Sequence, residues 1–281
     1  MLKNLIKYEF RATGRIIGLL CAALIVIACI SRLILGLGSY NNHMFGGVNP
    51  FVDIMGALSV FLYVMFICAV LVITFVIILL RFYKNLLQNE GYLMNMLPVK
   101  SWQHITAKLV AAVVWSFVSL LAVVVSVLIL STLAVDFSDI TFSMLQKAWN
   151  EFVFGLSVMN VSGAYILFMT IMMLLASTVA SILQLYAAMA IGQTQNRYKI
   201  ISSFAAYIAI SVIFQIIGVI ITSATGAVLL DGGMNMLIST AAATGYAFNV
   251  GITITVIFCL AKCVILFCVT NYFLKNKLNL E

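Results

Sequence analysis

The chain has 281 residues, of which 64% are hydrophobic and 8% charged, and its mean hydropathy is +1.19. Soluble domains carry roughly 25% charged residues, so composition excludes a water-soluble globule and leaves an integral membrane protein. The net charge of +7 would suggest nucleic acid in a soluble chain, but here the cations are placed as membrane orientation requires, and no nucleic-acid partner is expected.

Residues 1–15 place Lys3, Lys7 and Arg11 at i, i+4 and i+8, with Leu2, Leu5, Ile6 and Phe10 on the other side. This spacing describes a short amphipathic helix lying at the inner interface, its cations near anionic headgroups; an ordinary basic flank of the first span explains it equally well. Val26-Ile27-Ala28-Cys29 resembles a lipoprotein cleavage box. The apolar run continues to Leu37, however, which is too long for a signal-peptide core, so cleavage is not expected.

Six runs reach the roughly 20 apolar residues that a spanning helix needs: residues 16–37, 54–80, 109–135, 164–191, 201–223 and 248–273. Twelve of the fifteen Lys and Arg gather on one side of these spans. They are Lys3, Lys7, Arg11 and Arg15; Arg81, Lys84, Lys100 and Lys108; Arg197 and Lys199; and Lys275 and Lys277. The opposite loops hold Lys147 with Asp53, Asp136, Asp139, Asp231 and Glu151. The positive-inside rule then puts both termini in the cytoplasm, in a multi-pass membrane protein.

Along the chain, Gly14-x-x-x-Gly18 offers a close helix approach. Arg32 lies near the outer end of the first span, placed to snorkel outward. Residues 81–108, RFYKNLLQNEGYLMNMLPVKSWQHITAK, form the longest break in hydrophobicity on the basic side. There the second span continues as helix to Asn89, Gly91 breaks it, Pro98 disfavours helix at Leu97, and Ser101 caps the third span. The result is a helix–break–helix elbow with Tyr92, Leu93, Met94, Met96 and Leu97 near its tip. Those side chains either dock in a groove of a cytoplasmic protein or fold back onto the membrane interface.

Around Trp149, the apolar residues Leu145, Ala148, Phe152, Val153 and Leu156 recur at helical spacing, predicting an outer interfacial helix capped by Ser138 or Asp139. Ala176, Ser177, Ala180 and Ser181 suit tight packing of the fourth span. Residues 224–247 are too apolar for a solvated loop and too broken by glycine to span. A re-entrant pair of short outer helices fits them. Lys262 sits near the middle of the last span, where a cation contacts an anionic substrate group or water, or bonds to carbonyls and hydroxyls of a neighbouring helix. The expected fold is therefore all-α: one transmembrane domain over residues 1–281, with an amino-terminal interfacial helix (1–15), six spans, a cytoplasmic elbow (81–108) and an outer re-entrant segment (224–247).

The chain lacks a GxxxxGK[ST] phosphate loop, HExxH and Gly-x-Ser-x-Gly. All six cysteines lie in apolar runs with no CxxC pair, and His43 and His104 fall on opposite sides of the membrane. No catalytic residue, metal ligand or bound cofactor is expected. Without acids at mid-membrane, ion-coupled secondary transport is disfavoured. A large inward elbow on a body with no motor suggests that energy enters through a partner.

The opening MLKNLIKYEFRATGR and the segment NEGYLMNMLPVKSWQHITAKLVAAVVW resemble the permease subunits of bacterial type 2 ABC exporters, particularly the compact ones of Gram-positive anaerobes; beyond these stretches the resemblance is one of layout. It implies that two permease copies pair, as a homo- or heterodimer, and bind separate cytoplasmic ATPase subunits that hold ATP and Mg. The amino-terminal helix and the elbow would lie against those ATPases, with Lys84, Asn89, Glu90, Gly91, Tyr92, Leu97 and Pro98 as coupling residues. The chain departs from the family in lacking a long extracellular domain. Arg32 and Lys262 are the candidates for contact with substrate or a cavity. The expected cargo is a cytolytic or antimicrobial amphipathic peptide, with drugs or lipids as alternatives. The rival expectation is a non-transporting immunity or sensor protein.

Overall fold

A computed structural model describes residues 2–45, 50–87, 101–131, 146–147, 149–155, 162–194, 199–234 and 240–276. Among them are six long helices: α1 (Leu2–Phe45), α2 (Pro50–Leu87), α3 (Ser101–Ser131), α4 (Gly163–Gly192), α5 (Lys199–Met234) and α6 (Thr240–Asn276). A short helical stretch covers residues 149–155, and the described residues contain no strand. Each long helix contains a stretch apolar and long enough to cross a membrane, at the six places the apolar runs predict. The chain is therefore a multi-pass helical membrane protein.

The helices outrun the bilayer. At 1.5 Å per residue, the 44 residues of α1 span about 66 Å, roughly twice the hydrocarbon core. The amino-terminal segment is not a separate helix, since residues 2–15 run into the first span without a break. Nothing there stops a helix: no proline intervenes, glycine costs only about 1 kcal/mol in a helix, and the Thr13 hydroxyl donates to the Glu9 carbonyl at 2.8 Å. The outer segment likewise continues its flanking spans, residues 224–234 as the end of α5 and 240–247 as the start of α6.

The chain divides into two compact units, the first of residues 1–81 and 110–146, the second of residues 82–109 and 147–281. In the first unit, Ile17, Cys21, Leu24 and Ala28 form one buried stripe on α1 at i, i+4, i+7 and i+11, clustered with Tyr63 and Val70 of α2 and Ala122 of α3. Lipid is as apolar as these side chains, so packing and interhelical hydrogen bonds hold the cluster more than transfer from water does. Tyr63 and Ser126 share a buried 2.8 Å hydrogen bond, and Ser31 donates to the Ser59 carbonyl at 3.4 Å. Of the glycine pair in α1, only Gly14 is in close contact. A Cβ there would meet the Trp115 ring at 2.8 Å, whereas one at Gly18 would meet nothing within 4 Å among the described residues.

In the second unit α4 is the central helix, packed on both α5 and α6. Its buried face is built largely from alanines (Ala176, Ala180, Ala187, Ala188, Ala190), which let backbones approach. Ser177 and Ser181 are exposed instead, bonded to carbonyls of their own helix. The closest approach is at the end of α4, where a Cβ on Gly192 would fall 2.6 Å from the Ser203 backbone. Gln184 donates to Ser211 at 2.5 Å, Tyr165 and Thr253 pair at 2.6 Å, and the Cys263 thiol donates to the Ala176 carbonyl at 3.3 Å. These bonds pin α4 to both neighbours.

Candidate functional sites: a charged clamp and a mid-span lysine

Arg81 stands on α2, where the apolar run ends and the basic segment begins. Its Nη1 donates to the Glu9 carboxylate at 2.9 Å, the Glu9 carbonyl at 3.1 Å and the Thr13 hydroxyl at 2.6 Å. A single guanidinium nitrogen carries two protons, so one proton is shared between two of these three acceptors. The ion pair joins residues 72 apart in sequence, and its side chains are 27% and 11% exposed. Such shielding lifts it above an exposed surface pair, worth 1 kcal/mol or less. Charge-assisted hydrogen bonds contribute about 1.5–3 kcal/mol.

The next residue belongs to the second unit. Phe82 is fully buried and stacks on Tyr186 of α4, centroids 3.8 Å apart and planes within 10°. On the returning side, α3 runs from Ser101 and within two turns buries His104, Ile105, Ala107 and Lys108. The sequence puts Lys108 among the cations of a solvated elbow. It is instead 5% exposed, two turns into α3. Both stems of residues 81–108 are thus anchored. Among the expected coupling residues, Lys84 is exposed on α2; Asn89, Glu90, Gly91, Tyr92, Leu97 and Pro98 lie outside the described residues.

Of the two other candidates, Arg32 is exposed on α1 in the first unit. Lys262 belongs to the second, half-buried at mid-span with its Nζ 5.1 Å from the centroid of Phe214. Phe214 also meets Phe258 edge-on at 6.4 Å, and a Cβ on Gly218 would stand 3.6 Å from the Phe258 ring. Along this seam the numbers on α5 rise as those on α6 fall: 214 against 262, 218 against 258, then Thr222 and Thr225 beside Thr255 and Gly251. The two helices pack antiparallel, and Lys262 marks mid-depth. An aromatic face satisfies part of the charge, by up to about 2 kcal/mol when desolvated.

Sequence reasoning missed Glu9, Phe82, Tyr186 and Phe214. Glu9 carried a usable signal, as an acid set among the basic residues 1–15. The aromatic partners carried none, being three among thirty Phe and Tyr in an apolar background. Gln193 was missed as well. It is 1% exposed, and neither amide atom has a hydrogen-bond partner among the described residues. Those residues contain no group of three His, Cys, Asp or Glu placed to hold a metal ion.

Fold and sites together define a helical multi-pass membrane protein with a clamped basic end and a cation at mid-span. No family model, curated protein or solved structure matches the chain.

Proposed function

We propose that this chain is the membrane-spanning subunit of an ATP-driven exporter of the ABC type 2 class, moving a hydrophobic or amphipathic substrate, best an amphipathic peptide, out of a bacterial cell. Two permease copies pair and dock on separate ATPase subunits that hold ATP and Mg; the chain itself is not an enzyme. Both termini face the cytoplasm, the basic start of α1 stands at the inner side, and the ends of α5 and α6 around residues 224–247 stand at the outer side. Lys84, Asn89, Glu90, Gly91, Tyr92, Leu97 and Pro98 meet the ATPase.

The observation that carries this reading is the Glu9–Arg81 clamp. A stroke delivered to the elbow does work only if its stem is tied to something. The clamp ties it to α1, the helix bearing the other basic segment, so that push on either is felt by both. Lys262 supports the substrate class: its charge stands over an aromatic ring with no carboxylate paired to it among the described residues, ready for an anionic group such as a peptide carboxylate.

The test is a charge swap. Glu9→Arg and Arg81→Glu should each cut peptide efflux about tenfold or more at unchanged membrane level, through a loss of about 1.5–3 kcal/mol. The double reversal should restore most of it. Wild-type efflux from both single variants would refute the coupling role.

A further inference from the structure

Between α5 and α6, two turns beyond the Phe214–Phe258 layer, lies a cavity of about 240 Å³ lined by Thr222, Thr225, Gly226, Gly251, Ile254 and Thr255. We propose that it binds the primary ammonium headgroup of an aminophospholipid. This role is separate from the transport reading and does not depend on it.

The chemistry follows from where the hydroxyl protons go. Thr222 donates to the Gly218 carbonyl at 2.9 Å, Thr225 to Ile221 at 2.7 Å and Thr255 to Gly251 at 2.8 Å. A hydroxyl has one proton and two lone pairs. With each proton committed to its own helix, the three oxygens keep only acceptor capacity. An acceptor-only lining rejects anions and favours a group rich in donors. A primary ammonium brings three N–H bonds to three oxygens. A quaternary ammonium of similar charge brings none.

Size and depth agree. Two glycines leave room there: a Cβ at Gly226 or Gly251 would meet nothing within 4 Å among the described residues. The volume equals that of roughly eight liquid waters, enough for an ethanolammonium group and its first contacts but not for a folded peptide segment. The apolar runs of the sequence end at residue 223 on α5 and begin at residue 248 on α6, so the cavity lies within about a turn of the ends of both runs, where headgroups are expected. The polar groups among the described lining residues are the three threonine hydroxyls.

The experiment measures lipid binding to the purified full-length chain by native mass spectrometry, across phosphatidylethanolamine, its N-methyl and N,N-dimethyl forms, and phosphatidylcholine, with matched acyl chains. Affinity should fall stepwise as N–H donors are lost, by about tenfold in total. Gly251→Leu, which fills open space, should abolish the preference while keeping the wild-type melting temperature. Should that variant fail to fold, the near-isosteric pair Thr225→Val and Thr255→Val should do the same by removing acceptors and not volume. Equal binding of ethanolamine and choline lipids, or a preference surviving both sets of variants, would overturn the assignment. So would stoichiometric displacement of the lipid by a lysine-bearing peptide, which would hand the cavity to the substrate.

Discussion

Arg81 and Phe82 are adjacent in the chain, and each is fixed inside a different unit: Arg81 by Glu9 and Thr13, Phe82 by Tyr186. Phe82→Ala removes a fully buried ring and its stacking partner's contact, so it should cost about 3 kcal/mol of stability, read as a lower melting temperature in detergent. Phe82→Leu should recover more than half of that. Lys262 behaves oppositely. A mid-span cation costs about 2.5–3.5 kcal/mol on insertion scales, and the Phe214 face returns at most about 2 kcal/mol. Lys262→Met should therefore leave the protein as stable or slightly more so. If Lys262 holds an anionic group of the substrate, the same variant should lose export. A stable variant that exports normally would assign Lys262 to packing alone.

At the scale of elements, glycine contacts discriminate between helix pairs that composition cannot. Gly192→Ala drives a methyl into the Ser203 backbone and should cost about 1–3 kcal/mol as overpacking. Gly18→Ala meets open space and should be neutral or slightly stabilising, through better helix propensity. Thermal unfolding of the two variants side by side checks this, and equal effects would contradict the packing described. The contrast also marks what could be read in advance. The six spans were legible because runs such as 54–80 exceed the length that lipid requires, whatever they pack against. Helix faces were not legible. α5 and α6 are apolar nearly all round, so nothing in their periodicity tells Phe214 to meet Lys262 or Gly218 to meet Phe258. The continuity of α1 was missed for another reason. The switch at residue 16 from charged to apolar sequence marks where lipid begins, and a helix without a breaker runs through that boundary. Glu9 and Arg81 could be placed near the same membrane face from their positions, but not paired, because helix rotation decides that.

At the scale of the molecule, the two basic segments meet in one clamp, the stems of residues 81–108 are buried on both arms, and α5 leaves its most apolar stretch with no buried residue. These features suit a body that is pushed at one end and shares its apolar surface with lipid or a second copy. The most direct measurement of this account is vanadate-sensitive ATP hydrolysis co-purifying with the tagged full-length chain from the membranes of its own host, compared between wild type and the Glu90→Ala/Tyr92→Ala variant. The account predicts hydrolysis with the wild-type chain and its loss, by about tenfold, with the variant at equal yield, as expected when two docking contacts worth together about 1.4 kcal/mol or more disappear. A chain that purifies without any hydrolysing partner and still moves peptide in liposomes would contradict it.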